Sequence, residues 1–221
     1  MIRLERVNKI HEPDRFQSLH EVSCEVDTGQ LVAIRGVSGS GKSTLLSIIG
    51  ALQRPTTGEV IVSGQRVAKL PDHHASSFRA STIGFIFQTF SLWEEFTVEE
   101  NVALPLIPTG ENPKEIAEKV HKALEAANIA HKARQRSRDL SGGEKQRASI
   151  ARALVNNAPI LLCDEPSANL DRDNALAFVQ TLERLKQQGK TIVVATHDPL
   201  LCQPAFVDSV LDLEAGRIIK P

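Results

Sequence analysis

A glycine-rich segment that ends in Gly41-Lys42-Ser43 carries the most evident chemistry in this sequence. It follows residues 31–34, an apolar run of strand length, and precedes residues 45–49, an apolar run typical of a helix. A glycine, four further residues and then Gly-Lys-Ser, between a strand and a helix, make up the Walker A pattern of a phosphate-binding loop. Backbone N–H groups of such a loop, and the positive end of the helix dipole, bind phosphate oxygens. The predicted phosphate site consists of Gly36, Val37, Ser38, Gly39, Ser40, Gly41, Lys42, Ser43 and Thr44.

Four side chains are expected to act on a nucleotide and its Mg²⁺. In the loop, Lys42 should reach the β- and γ-phosphates, and the Ser43 hydroxyl should bind Mg²⁺. The other two follow the apolar run 160–163. A buried strand that ends in Asp164-Glu165 delivers both carboxylates to the carboxyl edge of the sheet, where the phosphate-binding loop also lies. We expect Asp164 to hold Mg²⁺ and Glu165 to orient and deprotonate an attacking water molecule.

A second phosphate-binding surface is predicted at Ser141-Gly142-Gly143-Glu144. Ser141 and Glu144 have the spacing of a capping box, so a helix begins here. Two glycines and a free hydroxyl at a helix N-terminus form a surface that accepts phosphate. One γ-phosphate does not need two such helix ends within one chain. The pattern therefore favours a head-to-tail dimer, in which each copy closes over the nucleotide of the other.

Composition and charge exclude several classes of protein. The 221 residues carry a net charge of −1, which offers no overall positive field for nucleic acid. No apolar run approaches the ~18 residues that span a bilayer. Arg3, Glu5 and Arg6 stand where a signal peptide has its apolar stretch, so we expect the chain to stay in the cytoplasm. The three cysteines have no metal-ligand spacing and are expected to be reduced thiols.

Apolar periodicity predicts an α/β protein with one domain, residues 1–221. Alternating residues before position 31 and apolar runs beyond it predict strands, and the tail from Val207 to Ile219 predicts a hairpin. Helix starts are predicted at Thr97 and Asn112, and a long helix at 171–189 with Asp171 as its N-cap. The resulting division is a core of residues 1–88 and 158–221, with a helical subdomain, residues 89–157, inserted between its strands.

The combined motifs resemble those of an ATP-binding cassette (ABC) transporter ATPase. The Walker A segment, Leu140-Ser141-Gly142-Gly143-Glu144-Lys145-Gln146 and Asp164-Glu165-Pro166 stand in the order of that family. Gln88 is similar to the Q-loop glutamine, residues 167–171 to the D-loop, and His197 to the switch histidine. The resemblance covers nearly the whole chain. It implies a RecA-like P-loop core with an antiparallel β edge and an inserted α-helical subdomain.

The family resemblance also implies a distribution of roles around ATP and Mg²⁺. Catalysis would involve Glu165, His197 and Gln88. The metal would be held by Ser43, Gln88 and Asp164. A second subunit would contribute Ser141, Gly142, Gly143 and Asp171. The implied partners are a homodimer of ATPase subunits and a membrane permease, with no nucleic acid.

Residues 84–88 and 100–106 are similar to the MacB/LolD/FtsE branch of the family. This branch implies a separate FtsX/MacB/LolCE-type transmembrane permease that exports or releases lipoproteins, peptides or drugs. It would hold the ATPase at the inner face of the cell membrane. The alternative is an FtsE-like ATPase for envelope signalling or cell division without transport. DNA-repair and chromosome ATPases share the motifs but need a long coiled coil, for which residues 89–140 are too short.

The sequence leaves three assignments open. The branch usually stacks a tyrosine on adenine, and this chain has no tyrosine. His11 lies nearest the equivalent place, and Phe16 is the other candidate. Trp93, the only tryptophan, either lines the docking groove for the permease or packs within the helical subdomain. The basic run 132–138 is expected to be a solvated loop, with contact to the partner or to lipid headgroups as the alternative.

Overall fold

The computed structural model of the chain describes residues 1–203 and 205–220, and for Lys220 it describes the backbone. Pro204 and Pro221, which the predicted domain bounds include, lie outside the described residues. The strands are β1 (Ile2–His11), β2 (Phe16–Val26), β3 (Leu31–Arg35), β4 (Thr57–Val62), β5 (Gln65–Arg66), β6 (Ile83–Ile86), β7 (Ile160–Asp164), β8 (Thr191–Thr196), β9 (Ser209–Glu214) and β10 (Arg217–Lys220). The helices are α1 (Lys42–Ile49), α2 (Asp72–Thr82), α3 (Val98–Ala103), α4 (Pro113–Ala126), α5 (Gly142–Leu154) and α6 (Arg172–Gln187).

A six-stranded sheet, in the order β10-β9-β3-β8-β7-β6, forms the centre of the molecule. Strands β9, β3, β8, β7 and β6 run parallel, and β10 returns antiparallel to β9. Every residue of β8 is buried, as expected for a strand covered on both faces. Arg35 pairs with Thr196, and Asp164 pairs with Ala195, so the ends of β3, β7 and β8 are level. The segments that follow these strands therefore meet at one edge of the sheet.

A second sheet, β2-β1-β4-β5, is antiparallel throughout and forms the predicted antiparallel edge. The two faces of β3 belong to different cores because successive side chains of a strand point in opposite directions. Val32 and Ile34 pack with α1 and the antiparallel sheet. Leu31 and Ala33 pack with residues of α3, α4, α5 and α6. The central sheet thus separates one layer that carries α1 from another that carries the later helices.

The predicted helix starts are confirmed. Thr97, Asn112 and Ser141 each form a complete capping box at the beginning of α3, α4 and α5. Asp171 caps α6 by accepting a hydrogen bond from the Asn174 N–H. The terminal hairpin, β9 and β10, is also confirmed. These elements follow local rules of sequence, and the structure retains them.

Helix α2 was not predicted by the sequence pattern. It is rich in Ser, Thr and His, which have weak helix propensity, and its N-cap, Pro71, gives no side-chain hydrogen bond. Only Ala75 and Phe78 are buried, and Phe78 packs into the core that contains α1. Tertiary burial of one aromatic side chain therefore supports a helix that lacks an amphipathic pattern of its own.

Ion pairs hold the basic run 132–138 against Glu95 and Glu144. Arg136 and Arg138 both donate to the Glu95 carboxylate, at 2.9 Å each. Lys132 lies 3.2 Å from Glu144 at the start of α5. The run thus joins the segment before α3 to the start of α5.

The bounds 89 and 157 of the helical subdomain stay a prediction. Within the described ranges, every helix is too short or too polar to cross a membrane.

Candidate functional site

The phosphate-binding loop lies between β3 and α1, against the edge of the antiparallel sheet. Gly41, the N-cap of α1, has a φ of 105°, a conformation that favours glycine. A Cβ atom at Gly41 would lie 2.5 Å from the carbonyl oxygen of Ser18 on β2. No larger residue fits this position, because both the backbone conformation and the contact with Ser18 exclude a side chain.

The N-terminus of α1 is free to bind an anion. Helices α3 to α6 begin with side-chain caps, whereas α1 has none. Among the described residues, the backbone N–H groups of Lys42, Ser43 and Thr44 have no hydrogen-bond acceptor. The Oγ of Ser40 is buried and likewise has no partner within the described chain. Unpaired donors at a helix N-terminus match a phosphate group, so the loop fits the predicted ligand.

Lys42 is the first residue of α1 and supplies a positive charge at this helix end. Its side chain is buried, and its Nζ donates to the carbonyl oxygens of Gly36 at 2.7 Å and Val37 at 3.1 Å. Nζ also lies 3.0 Å from Oε1 of Glu165. The ammonium thus forms an ion pair with the residue predicted to act as the base.

Glu165 joins Lys42 to His197. Its Oε2 lies 2.8 Å from Nδ1 of His197 and accepts a hydrogen bond from the His197 backbone N–H at 3.3 Å. The Glu165 residue is 8% exposed and has a φ of 44°. Such a conformation costs about 1–3 kcal/mol at a non-glycine residue and is found mainly at functional sites. The structure therefore brings together three residues that are far apart in the sequence, in the order Lys42, Glu165, His197.

Ser43 and Asp164 form the predicted metal site. The Ser43 hydroxyl donates to Oδ1 of Asp164 at 3.0 Å. The pKa of Asp164 is raised, chiefly because the carboxyl group is buried, and the negative charge of Glu165 adds to this effect. The hydrogen bond from Ser43 and the positive charge of Lys42 lower the pKa of Asp164 and offset part of the rise. A hydroxyl and a carboxylate are oxygen ligands of the kind that Mg²⁺ prefers, so these residues fit the metal.

Gln88 lies at the end of β6, and its side chain is exposed. Its carbonyl oxygen accepts a hydrogen bond from Nδ2 of Asn169 at 3.0 Å, which ties the segment after β6 to the segment after β7. In the described chain, no hydrogen bond joins the Gln88 side chain to Ser43 or Asp164. Its predicted roles in catalysis and in metal binding stay predictions.

The second predicted phosphate surface lies at the start of α5. The prediction of a free hydroxyl is wrong in this state, because the Ser141 hydroxyl accepts from the Glu144 N–H and donates to the Glu144 carboxylate as part of the helix cap. Hydrogen bonds from the backbone N–H and the hydroxyl of Ser141 lower the pKa of Glu144 to about 2. A Cβ atom at Gly143 would lie 2.8 Å from Oδ1 of Asn174, so this glycine allows α5 to approach α6. Asn174 also donates to Asp171, which lowers the pKa of that carboxyl group. The start of α5, residues 141–144, and Asp171 thus form one unit around Asn174.

Within the described residues, no hydrogen bond or ion pair joins this unit to the loop that contains Lys42. Ser141 and Gly142 are exposed. Within one copy of the described chain, the two predicted phosphate surfaces therefore make no direct polar contact with each other.

The two candidate adenine contacts lie together beside the loop. His11 and Phe16 pair across β1 and β2, and their rings are stacked with centroids 6.3 Å apart. Nε2 of His11 lies within hydrogen-bond distance of the Ser18 hydroxyl, at 2.9 Å, and Phe16 is 61% exposed. Ser18 was missed by sequence reasoning. It links the aromatic pair to Gly41, but only the register of β2 reveals this, and no local pattern marks it.

Three comparisons relate the chain to known proteins. A family model described as ABC transporter matches residues 19–168. Macrolide export ATP-binding/permease protein MacB of Campylobacter jejuni is 39% identical over 202 residues, which are 91% of this chain and 31% of MacB. The chain thus spans about a third of the length of this relative.

Two solved structures have the same fold. The dimeric structure of MJ0796, a bacterial ABC transporter cassette, has a TM-score of 0.92 and 37% identity, and covers 100% of this chain and 97% of its own. A dimeric post-hydrolysis state of MJ0796 bound to ADP and Pi has a TM-score of 0.91 and 36% identity, with the same coverage. These likenesses confirm the predicted fold class. Because the family model matches 150 of the 221 residues, and the Walker A loop meets Asp164, Glu165 and His197 at one edge of the central sheet, this chain is an ATP-hydrolysing cassette of the ABC transporter family.

Proposed function

We propose that two copies of this chain close head to tail around two molecules of ATP with Mg²⁺, and that closure drives a separate FtsX/MacB/LolCE-type membrane permease. One observation carries the catalytic part of the proposal. The uncapped start of α1 lies directly beside the row formed by Lys42, Glu165 and His197. A phosphate on that helix end would have a cation, a base and a histidine within the same site.

The roles follow from the chemistry of each group. Lys42 and the amides of the loop neutralise phosphate charge. Ser43, Gln88 and Asp164 hold Mg²⁺, which when bound neutralises negative charge on the phosphate oxygens. Glu165 takes the proton of the attacking water, and His197 positions the γ-phosphate.

The ion pair of Lys42 with Glu165 links nucleotide binding to base activity. In the described state, the two carboxylate oxygens of Glu165 are occupied by Lys42 and His197. When Lys42 turns to a phosphate group, Oε1 loses its cation and becomes free to accept a hydrogen bond from water. The carboxylate is then available as a base only when the phosphates are in place.

The dimer explains the two separate phosphate surfaces. In the proposed arrangement, Ser141, Gly142 and Gly143 of one copy cover the γ-phosphate bound by the other, with Asp171 beside them. The exposed start of α5 and the uncapped start of α1 support this arrangement, since each offers half of a phosphate site. The dimeric structures of MJ0796 support it as well.

The adenine ring is proposed to stack on the pair of His11 and Phe16. Removal of the ring that makes the contact should weaken ATP binding by roughly 1 kcal/mol, the usual worth of an aromatic contact. We expect the larger effect from Phe16→Ala, because Phe16 is 61% exposed and Nε2 of His11 is engaged by Ser18. Titration with ATP of Phe16→Ala, His11→Ala and the double variant measures each contribution. Unchanged affinity in all three would show that the base is held elsewhere.

The permease is proposed to dock into an apolar groove between α2, α5 and the 3₁₀ helix Leu104–Thr109. The groove has a volume of about 250 Å³. Its apolar walls are Leu52, Phe85, Phe87, Pro105 and Pro108. Arg152, at its side, donates to the carbonyl oxygens of Phe90 and Ser91, and so connects the groove to the segment that contains Trp93. An amphipathic helix of a membrane protein fits such a surface. This contact would hold the cassette at the inner face of the membrane.

Charge placed in this groove should uncouple the cassette from its permease. Leu52 is 44% exposed, so Leu52→Glu should leave the fold intact and weaken association with the permease at least tenfold, while the isolated chain still hydrolyses ATP. Trp93→Ala, which removes a side chain 64% exposed, should act in the same direction. The matched control is Ile219→Glu, at another exposed apolar residue. Co-purification with the permease measures the effect, and equal recovery of all three variants would exclude this docking surface.

Glu95 is unsuitable for such a test because it pairs with Arg136 and Arg138.

A further inference from the structure

Two loops meet at the carboxyl edge of the parallel sheet, one after β7 and one after β8. The first carries Glu165, with its left-handed φ of 44°, and the second carries His197. A strained backbone of this kind persists only where surrounding contacts over-determine it. The contacts that hold Glu165 therefore decide whether its carboxylate stays in position during the reaction.

The two side-chain contacts of the carboxylate are not permanent. They are made with Lys42 Nζ and with His197 Nδ1, and the proposed function assigns both of these groups to the phosphates. Once the two groups turn to a nucleotide, the carboxylate is held less firmly. Two backbone hydrogen bonds between the loops persist, from the Glu165 N–H to the Ala195 carbonyl oxygen at 2.8 Å and from the His197 N–H to Oε2 of Glu165 at 3.3 Å. A further contact is needed to keep the loop after β7 against the loop after β8.

Ser167 and Asp198 provide such a contact. The Ser167 hydroxyl donates to Oδ2 of Asp198 at 2.8 Å, and Ser167 is 8% exposed. Asp198 is itself fixed on its own loop. Its Oδ1 accepts from the Leu200 N–H, and its N–H donates to Oγ1 of Thr196, both at 2.9 Å. The acceptor for Ser167 is therefore rigid, and no group that reacts with phosphate takes part in the bond.

We propose that Ser167 and Asp198 are positioning residues that hold the two loops together and keep Glu165 in its reactive place after Lys42 and His197 have turned to the nucleotide. The proposal rests on the proposed role of Glu165 as the base. Ser167 lies two residues after Glu165, and Asp198 directly follows His197, so one hydrogen bond fixes the loop of the base against the loop of the histidine.

The test separates positioning from general stability. Ser167→Ala should lower kcat about tenfold, since small displacements of a catalytic group are costly, and change KM for ATP by less than about twofold. Ser167→Thr keeps the hydroxyl and should restore kcat. The matched control is Ser137→Ala, which removes a buried hydroxyl that accepts from Asn101 in the helical region. This control should lower the unfolding temperature to a similar extent and leave kcat unchanged.

A second measurement asks whether Ser167 acts through Glu165. In a Glu165→Gln background, Ser167→Ala should not reduce the residual hydrolysis further, because groups that act as a unit are not additive. Two results would overturn the positioning role. One is that Ser167→Ala lowers kcat tenfold both in the wild-type chain and in the Glu165→Gln background. The other is that Ser167→Ala and Ser137→Ala have the same kcat. Near wild-type hydrolysis by Glu165→Gln alone would instead overturn the proposed base and, with it, this inference.

Discussion

Replacement of Glu165 by glutamine should lower ATP hydrolysis by a factor of ~10² or more, the usual worth of a positioned general base. The side chain keeps its size and hydrogen-bonding reach but loses its basicity. ATP and Mg²⁺ should still bind, because Lys42, Ser43 and Asp164, which the proposal assigns to the phosphates and the metal, are unchanged. Phosphate release measures hydrolysis, and equilibrium titration measures binding. Glu118→Gln, which removes an exposed carboxylate on α4, is the control and should leave both unchanged.

The same variant should trap the closed dimer. If ATP joins two copies across Ser141, a blocked hydrolysis step leaves them joined, and size-exclusion chromatography with Mg-ATP should show a dimer that ADP does not support. Ser141→Arg should abolish this dimer, because a bulky side chain keeps the start of α5 away from the opposite phosphate. Ser141→Ala distinguishes bulk from loss of the hydroxyl, since it removes the helix cap and the proposed phosphate contact without adding bulk, and it should weaken the dimer less than Ser141→Arg does. A Glu165→Gln protein that binds ATP tightly and stays monomeric would contradict the head-to-tail dimer of the isolated chain.

Replacement of Lys42 by alanine should abolish ATP hydrolysis and weaken ATP binding, because the phosphate site loses its cation. The structure indicates that Lys42→Ala should also lower the stability of the folded chain. Lys42 pairs with Glu165, and both residues are buried, so Lys42→Ala leaves a carboxylate oxygen without its cation. We expect the free energy of unfolding to fall by roughly 1–3 kcal/mol, with the fold retained.

A double variant distinguishes the two effects of Lys42. Lys42→Ala combined with Glu165→Gln removes the unpaired charge and should recover part of the lost stability, as coupled neighbours do. Hydrolysis should stay abolished in the double variant. Chemical denaturation measures the first quantity and phosphate release the second. A Lys42→Ala protein that hydrolyses ATP at a near wild-type rate would exclude the phosphate-binding assignment.

Much of the fold and of the site could be predicted from the sequence because the relevant signals are local. The strand, loop and helix around Lys42 need only their own residues to be recognised. The capping boxes at Thr97, Asn112 and Ser141 act within one helical turn, and the structure retains all three. Parallel pairing then explains why Glu165 lies at the same edge as Lys42, since ligands and functional groups gather at the carboxyl ends of parallel strands.

Other features depend on residues far apart in the chain, and only the tertiary structure decided them. Helix α2 forms because Phe78 finds a buried place in the core, although its own sequence favours a helix weakly. Ser18 lies against Gly41 through the register of β2, which no local pattern specifies. The pairing of Lys42 with Glu165 depends on the alignment of β3, β8 and β7, and the bond between Ser167 and Asp198 depends on the alignment of β7 and β8. Such contacts arise from the geometry of the assembled sheet, because each partner could form other contacts if the strands were aligned differently.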